Sequence, residues 1–331
     1  MRVARGNRAA LLLASLLVAV SACASVEKPV DLATVDSVER PTPVDVEVNP
    51  VPPSTSAAPT PDCDPRASLR PLNPMPAPGD MPSNTTMREI QEAGKLVAGV
   101  DQNTYLFGFR DPTTNQLEGF DIDRAREIAE AIFGDRNKIQ FKVMTSAGRI
   151  PALKDEQVDV VVRTFTATCG RWQDVDFSAT YFEAGQWLLV ERDSGVETLD
   201  DLGGEKVCAA KESTSIKNIA DHEAEPVPVQ VENWSDCLVM LQQGQVAAVS
   251  TDNVILAGMA AQDPNLTMVG PTLAPEPYGI GIPKGNEDMV RFVNGVLERS
   301  IASGEWAKSY DRWLGRLDGR RPAPPTPTYR D

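Results

Sequence analysis

The stretch Val160-Val161-Val162-Arg163-Thr164-Phe165-Thr166-Ala167-Thr168-Cys169-Gly170-Arg171 decides how the rest of the chain is read. It opens as a short β-branched apolar run, continued backwards to Val158, of the kind found in a buried parallel strand. It then breaks into spaced threonines, Thr164, Thr166 and Thr168, and ends on Arg171. A strand leaving a core in this way carries hydroxyls, backbone N–H groups and a guanidinium to the carboxyl edge of a sheet, where open α/β sheets bind ligands. The planar fork of an arginine fits a carboxylate through two parallel hydrogen bonds. Taken alone, the same residues also suit a solvated surface loop, so their neighbours decide the matter.

Upstream, Thr86 to Gly94 reads as a short capped helix and Lys95 to Val100 as a strand. A helix runs from Gly119-Phe120-Asp121 to Phe133, with Ile122, Ala125, Ile128, Ala129 and Ile132 on one face and Gly134 as its stop. Ile139 to Met144 is a strand. Ser146 is expected to cap a helix that begins around Arg149 and Pro151. A cation in that first turn opposes the helix dipole unless an anion joins it, which marks Arg149 as a candidate site residue. Downstream, a second α/β set follows: strands at Lys206–Ala210, Val227–Val231 and Val246–Val249. Thr214 and Ser215 open one helix, Ser235 and Asp236 another, and Ser250-Thr251-Asp252 ends the last strand. The chain returns through Tyr278–Ile282 to two helical patterns, 288–303 and 305–314. Two strand–helix sets, each delivering polar groups from strand ends, predict two α/β lobes with a ligand cleft between them.

Composition narrows the function. The 331 residues carry a formal charge of −15, which argues against nucleic-acid binding. A site for a small anion must then be a local positive pocket. The single histidine, His222, leaves little material for a histidine metal site or a catalytic triad. No metal, cofactor or catalytic residue is expected.

The amino terminus sets the compartment. Arg2, Arg5 and Arg8 precede the apolar run Ala9–Val20, too short to span comfortably as a transmembrane helix. Val20-Ser21-Ala22-Cys23 then resembles a bacterial lipobox, in which the cysteine is acylated and becomes the new amino terminus. Residues 1–22 are read as the signal peptide and Cys23 as the lipid anchor, on the extracytoplasmic face of the cell membrane. Thirteen prolines lie between Pro41 and Pro82, so residues 23–68 read as an extended tether and 319–331 as a disordered-type tail. Lobe 1 is assigned to 69–184 and 278–318, and lobe 2 to 185–277. Apart from Cys23, four cysteines remain in an oxidising compartment and allow three pairings. Cys208–Cys237 is favoured because both fall in one lobe, on a strand and a helix able to face it. Cys63–Cys169 follows as the other pair.

The order Leu96–Asp101, Gly119–Asp123, Ile150–Leu153, Val158–Val161, Thr166-x-Thr-x-x-Arg171, Val175–Ser178, Asp201–Val207 and Tyr278-Gly-Ile resembles the family 3 extracellular solute-binding proteins, the polar amino-acid receptors of ABC importers. The likeness covers 96–314. The tether, the lipobox and the cysteine pattern further resemble actinobacterial glutamine/glutamate-binding lipoproteins. The resemblance implies a two-lobe periplasmic-binding-protein fold of type II that closes on its ligand by hinge motion. It implies that Arg171 clamps the α-carboxylate, that Thr164 and Thr166 meet the head group, and that Thr214 and Ser215 add N–H groups from across the cleft. Asp252 would take the α-ammonium. Two departures stand out: Cys169-Gly170 where Pro-Glu is usual, and Glu212-Ser213 where a glycine-rich turn is usual. Arg149 corresponds to the arginine that meets the side-chain carboxylate in acidic-amino-acid binders. Glutamate or aspartate is therefore expected over glutamine or asparagine, with Ser146 and Lys211 as helpers. Tyr105 and Phe107 are placed either against the aliphatic part of the ligand or, as aromatics in such a loop equally often are, in the core.

The expected partners are that amino acid, a membrane permease, and the lipid bilayer through Cys23, with the protein a monomer. A sensor that signals through a membrane protein would use the same residues. A cleft enzyme of the dehydratase type is a remote third reading, because no positioned acid–base pair is evident.

Overall fold

The computed structural model describes residues 40–50, 62–315 and 321–331. The anchor Cys23 and the signal segment therefore lie outside the described residues. Chain contacts divide at Pro41, and both lobes fall within the unit Thr42–Asp331.

Two mixed sheets make the two lobes. The first has the strand order Ile139–Val143, Leu96–Val100, Val160–Val161, Gly281–Pro283, Val175–Phe177. Its first three strands run parallel, and the last two pair antiparallel. Leu96, Ala98, Val160 and Val161 are fully buried, as the unbroken apolar runs require of strands covered on both faces. The helix Phe120–Phe133 packs its predicted apolar face inward and ends at Gly134 in the left-handed region (φ 72°).

The second sheet has the order Glu47–Val48, Val227–Val231, Lys206–Ala210, Ala248–Asp252, Phe182–Glu191, Leu266–Tyr278. The strand Lys206–Ala210 runs parallel to both of its neighbours. The chain passes between lobes at the paired ends of two antiparallel strands, where Phe182 faces Tyr278. In both lobes the carboxyl ends of parallel strands open toward the same cleft, the place where α/β sheets present ligand groups. Contacts cross it: Arg171 Nη2 donates to the Glu212 carbonyl at 3.0 Å, and Asn103 Nδ2 to Asn233 Oδ1 at 3.2 Å. The cleft is closed in this structure.

Both disulfides form, Cys208–Cys237 within lobe 2 and Cys63–Cys169 beside the threonine-rich loop, with Cα separations of 5.6 and 5.8 Å.

Several expectations are corrected. The returning segment Tyr278–Ile282, read from the sequence as one strand, is instead the end of a 13-residue strand, Leu266–Tyr278, whose prolines hid it, followed by the short strand Gly281–Pro283. The longer strand lies at the edge of its sheet, where missing N–H donors are tolerated. Glu47–Val48, expected in the free tether, pairs antiparallel with Val227–Val231 and forms the edge of the second sheet. The disordered-type tail is instead docked over 321–331. Thr328–Tyr329 pairs parallel with Ala67–Ser68, and the Asp331 carboxylate meets Arg291 at 2.6 Å. These pairings join residues far apart in sequence, so local composition carried no sign of them. Finally, the helix near Arg149 starts at that residue with Gly148 at its cap, not Ser146. The Ser146 hydroxyl is engaged instead by Arg163 Nη1 at 2.7 Å.

Candidate functional site

The cleft is lined by Ser146, Arg149, Thr164, Thr166 and Arg171 from lobe 1 and by Thr214, Ser215 and Asp252 from lobe 2. These are eight of the eleven residues named for the ligand. The other three lie elsewhere. Lys211 turns outward, where its Nζ meets Glu47 Oε1 at 2.9 Å. Tyr105 is 39% exposed and packs edge-on against Phe109. Phe107 is in the core, edge-on to Phe182 and Tyr278.

Two guanidiniums dominate the lobe 1 wall. Arg149 is buried, donating from Nε to the Ser146 carbonyl at 2.9 Å and from Nη1 to the Thr164 carbonyl at 3.1 Å. Arg171 donates from Nη1 to the Thr166 carbonyl at 2.8 Å. Both lie over the Phe165 ring, at 4.4 and 5.1 Å from its centre, where the π face attracts a cation. Among the described residues neither makes an ion pair. Burial lowers the pKa of each; for Arg149, the neighbouring Arg171 and Arg163 lower it further. These are costs that an anionic ligand would relieve.

A third arginine, Arg163, was given no role in the sequence reading. It pairs with Asp101 Oδ2 at 2.9 Å and donates from Nε to the Met144 carbonyl at 2.8 Å. With its bond to Ser146, it fixes the loop that carries Arg149. Thr164 has a left-handed backbone (φ 36°), which is strained for a β-branched residue. Its N–H is held by Asp121 Oδ2 at 2.8 Å. Glu212 also has a left-handed backbone (φ 57°), a conformation that favours glycine.

Opposite, Asp252 is buried and accepts a hydrogen bond from the Tyr278 hydroxyl. Burial pushes its pKa well up, and the neighbouring Glu276 adds to this. An ammonium seated there would restore the charged form. Ser213 caps the helix Thr214–Ala220, accepting from the Ile216 N–H at 3.1 Å, so the first-turn residues Thr214 and Ser215 face the cleft. Trp234, Thr251 and Ile255 complete the lining. Their apolar or β-strand character gave no sign of it in the sequence. Among the described residues, no cluster of histidine, cysteine, aspartate or glutamate could hold a metal ion.

Two buried cations on one wall and a buried carboxylate on the other define a closing two-lobe receptor for a small zwitterion. The matching family model, bacterial extracellular solute-binding proteins, family 3, spans residues 96–316. The chain belongs to that family, whose members bind solutes rather than transform them. It is 41% identical over 230 residues to the ABC transporter glutamine-binding protein GlnH of Bacillus subtilis, covering 69% of this chain and 84% of that one. It is 44% identical over 200 residues to the glutamine-binding protein of Geobacillus stearothermophilus, covering 60% and 76%. Among solved structures, an ancestral arginine-binding protein bound to arginine superposes with a TM-score of 0.62 at 38% identity, covering 67% of this chain and 99% of that one. The holo arginine-binding protein of T. maritima gives 0.61 at 30% identity, covering 69% and 99%. These likenesses span the two lobes and establish the type II periplasmic-binding-protein architecture.

Proposed function

We propose that this protein is an extracytoplasmic receptor for an acidic L-amino acid, glutamate or aspartate, with glutamine and asparagine bound more weakly. It closes on the ligand and delivers it to an ABC permease, held at the membrane by lipid on Cys23. The observation that carries the reading is the second buried guanidinium. Arg171 serves one carboxylate and Asp252 the ammonium, and neither accounts for Arg149, held by carbonyls with no ion pair among the described residues. A buried guanidinium with no direct ion-pair partner is costly even where more distant carboxylates balance its charge, and a ligand side-chain carboxylate supplies that partner. Thr164, Thr166, Thr214 and Ser215 then fix the head group, and Ser146, oriented by Arg163, assists at the side chain.

Relatives are named for several ligands, including glutamate for GluB of Corynebacterium glutamicum, at 29% identity. Glutamine is the second reading, favoured by the names of the Bacillus and Geobacillus relatives. Calorimetry on unfolded and refolded protein, freed of retained ligand, separates the two. Glutamate or aspartate bound at least tenfold more tightly than glutamine supports the acidic reading, a difference of about 1.4 kcal/mol. Equal or reversed affinities contradict it.

A further inference from the structure

Glu276 lies behind the cleft lining, bonded to two hydroxyls that line it, and has no part in the binding of carboxylates and ammonium by Arg149, Arg171 and Asp252. It is 1% exposed and lies near the end of the strand Leu266–Tyr278. Its Oε2 accepts from the Thr166 hydroxyl and, at 2.8 Å, from the Thr214 hydroxyl. Those two hydroxyls come from opposite lobes and are among the donors a ligand head group needs. Glu276 thus occupies donors that the ligand would claim.

The charged and titratable groups around it can be counted. Arg171 faces it from the threonine-rich loop and Arg149 from the start of the helix Arg149–Lys154. Asp252 faces it from the end of the strand Ala248–Asp252, and Tyr278 from its own strand. Two guanidiniums therefore stand against two carboxylates, and the closed site is balanced when both acids are ionised. A glutamine zwitterion preserves that balance, whereas glutamate adds a negative charge to a volume closed to water.

We propose that Glu276 is a specificity-determining residue that takes up one proton from solvent when an acidic amino acid binds and stays ionised when a neutral one binds. The step balances simply. The carboxylate and the proton become a carboxylic acid beside the Thr166 and Thr214 hydroxyls, and no covalent bond to ligand is made. Burial already raises the pKa of Glu276, while its hydrogen bonds from Thr166 and Thr214 restrain that rise. The inference rests on the acidic-ligand reading.

The test is calorimetry on the full chain with L-glutamate and L-glutamine, near pH 7, in phosphate and in Tris, whose ionisation enthalpies differ. Glutamate binding is expected to take up about one proton and to strengthen up to tenfold for each unit fall in pH, and glutamine binding to do neither. Glu276→Gln is expected to abolish the proton uptake and to raise the glutamate-to-glutamine affinity ratio, by a larger factor at pH 8 than at pH 6. Glutamate binding without proton uptake, or uptake that persists in E276Q, overturns the proposal. If the parent binds only glutamine, the acidic reading fails separately. In that case glutamate binding gained in E276Q supports Glu276 as the residue that sets specificity, and glutamate still refused overturns the proposal. Should E276Q not fold, Thr214→Val removes one hydroxyl that keeps Glu276 charged. The pH profile for glutamate should then move upward, and an unmoved profile overturns the proposal.

Discussion

Asp121 holds the most strained residue of the site. It accepts the Thr164 N–H at 2.8 Å and the Tyr181 hydroxyl at 2.7 Å from a fully buried position. Burial raises its pKa to about 7, against the hydrogen bonds, which lower it. The folded state therefore binds more protons than the unfolded one between about pH 4 and pH 7, and stability falls as pH rises through that window. In Asp121→Asn this contribution is absent. Denaturation profiles of parent and variant should diverge across the window by on the order of a few kcal/mol. Parallel profiles would contradict the assignment. At this scale the sequence was legible where a residue type and a strand end coincided, as at Arg171, Thr166 and Asp252. It was opaque where the decisive partner is remote. Arg163 gains its role from Asp101, and Glu276 sits among prolines that concealed a strand. Lys211 looked like a cleft residue because the partner that draws it away, Glu47, is 164 residues distant.

Among the elements, the helix Phe120–Phe133 shows how glycine fixes geometry. Gly119 precedes it with φ 129°, and a Cβ there would stand 2.2 Å from the Phe107 carbonyl oxygen. That oxygen accepts the Asp121 N–H at 2.9 Å, so the close approach positions the residue that holds Thr164. Gly119→Ala should cost about 2–3 kcal/mol through backbone strain and overlap, read as a lowered midpoint in urea with an unchanged slope. A midpoint equal to the parent's would show that the loop relaxes freely. Helices and parallel strands were legible because their periodicities and glycine stops are local signals. The edge strands Glu47–Val48 and Thr328–Tyr329 were not, since two residues in a proline-rich setting acquire strand geometry only from a distant partner.

At the scale of the molecule, the two lobes bring one cationic wall and one acidic corner to opposite sides of one cleft, with contacts across it. Closure is thus the event that makes charge count, because it removes the water that would otherwise screen the ligand. The two-lobe plan was legible from two successive strand–helix sets. The disposition of charge within the cleft was not, since it depends on which carboxylates the closure encloses. The central claim is that Arg149 selects a side-chain carboxylate, and the most direct measurement is the glutamate-to-glutamine affinity ratio in Arg149→Gln, with the melting curve confirming a folded protein. The account predicts that glutamate binding falls a hundredfold or more, on the order of 3–5 kcal/mol, while glutamine binding changes far less. An unchanged ratio would contradict it.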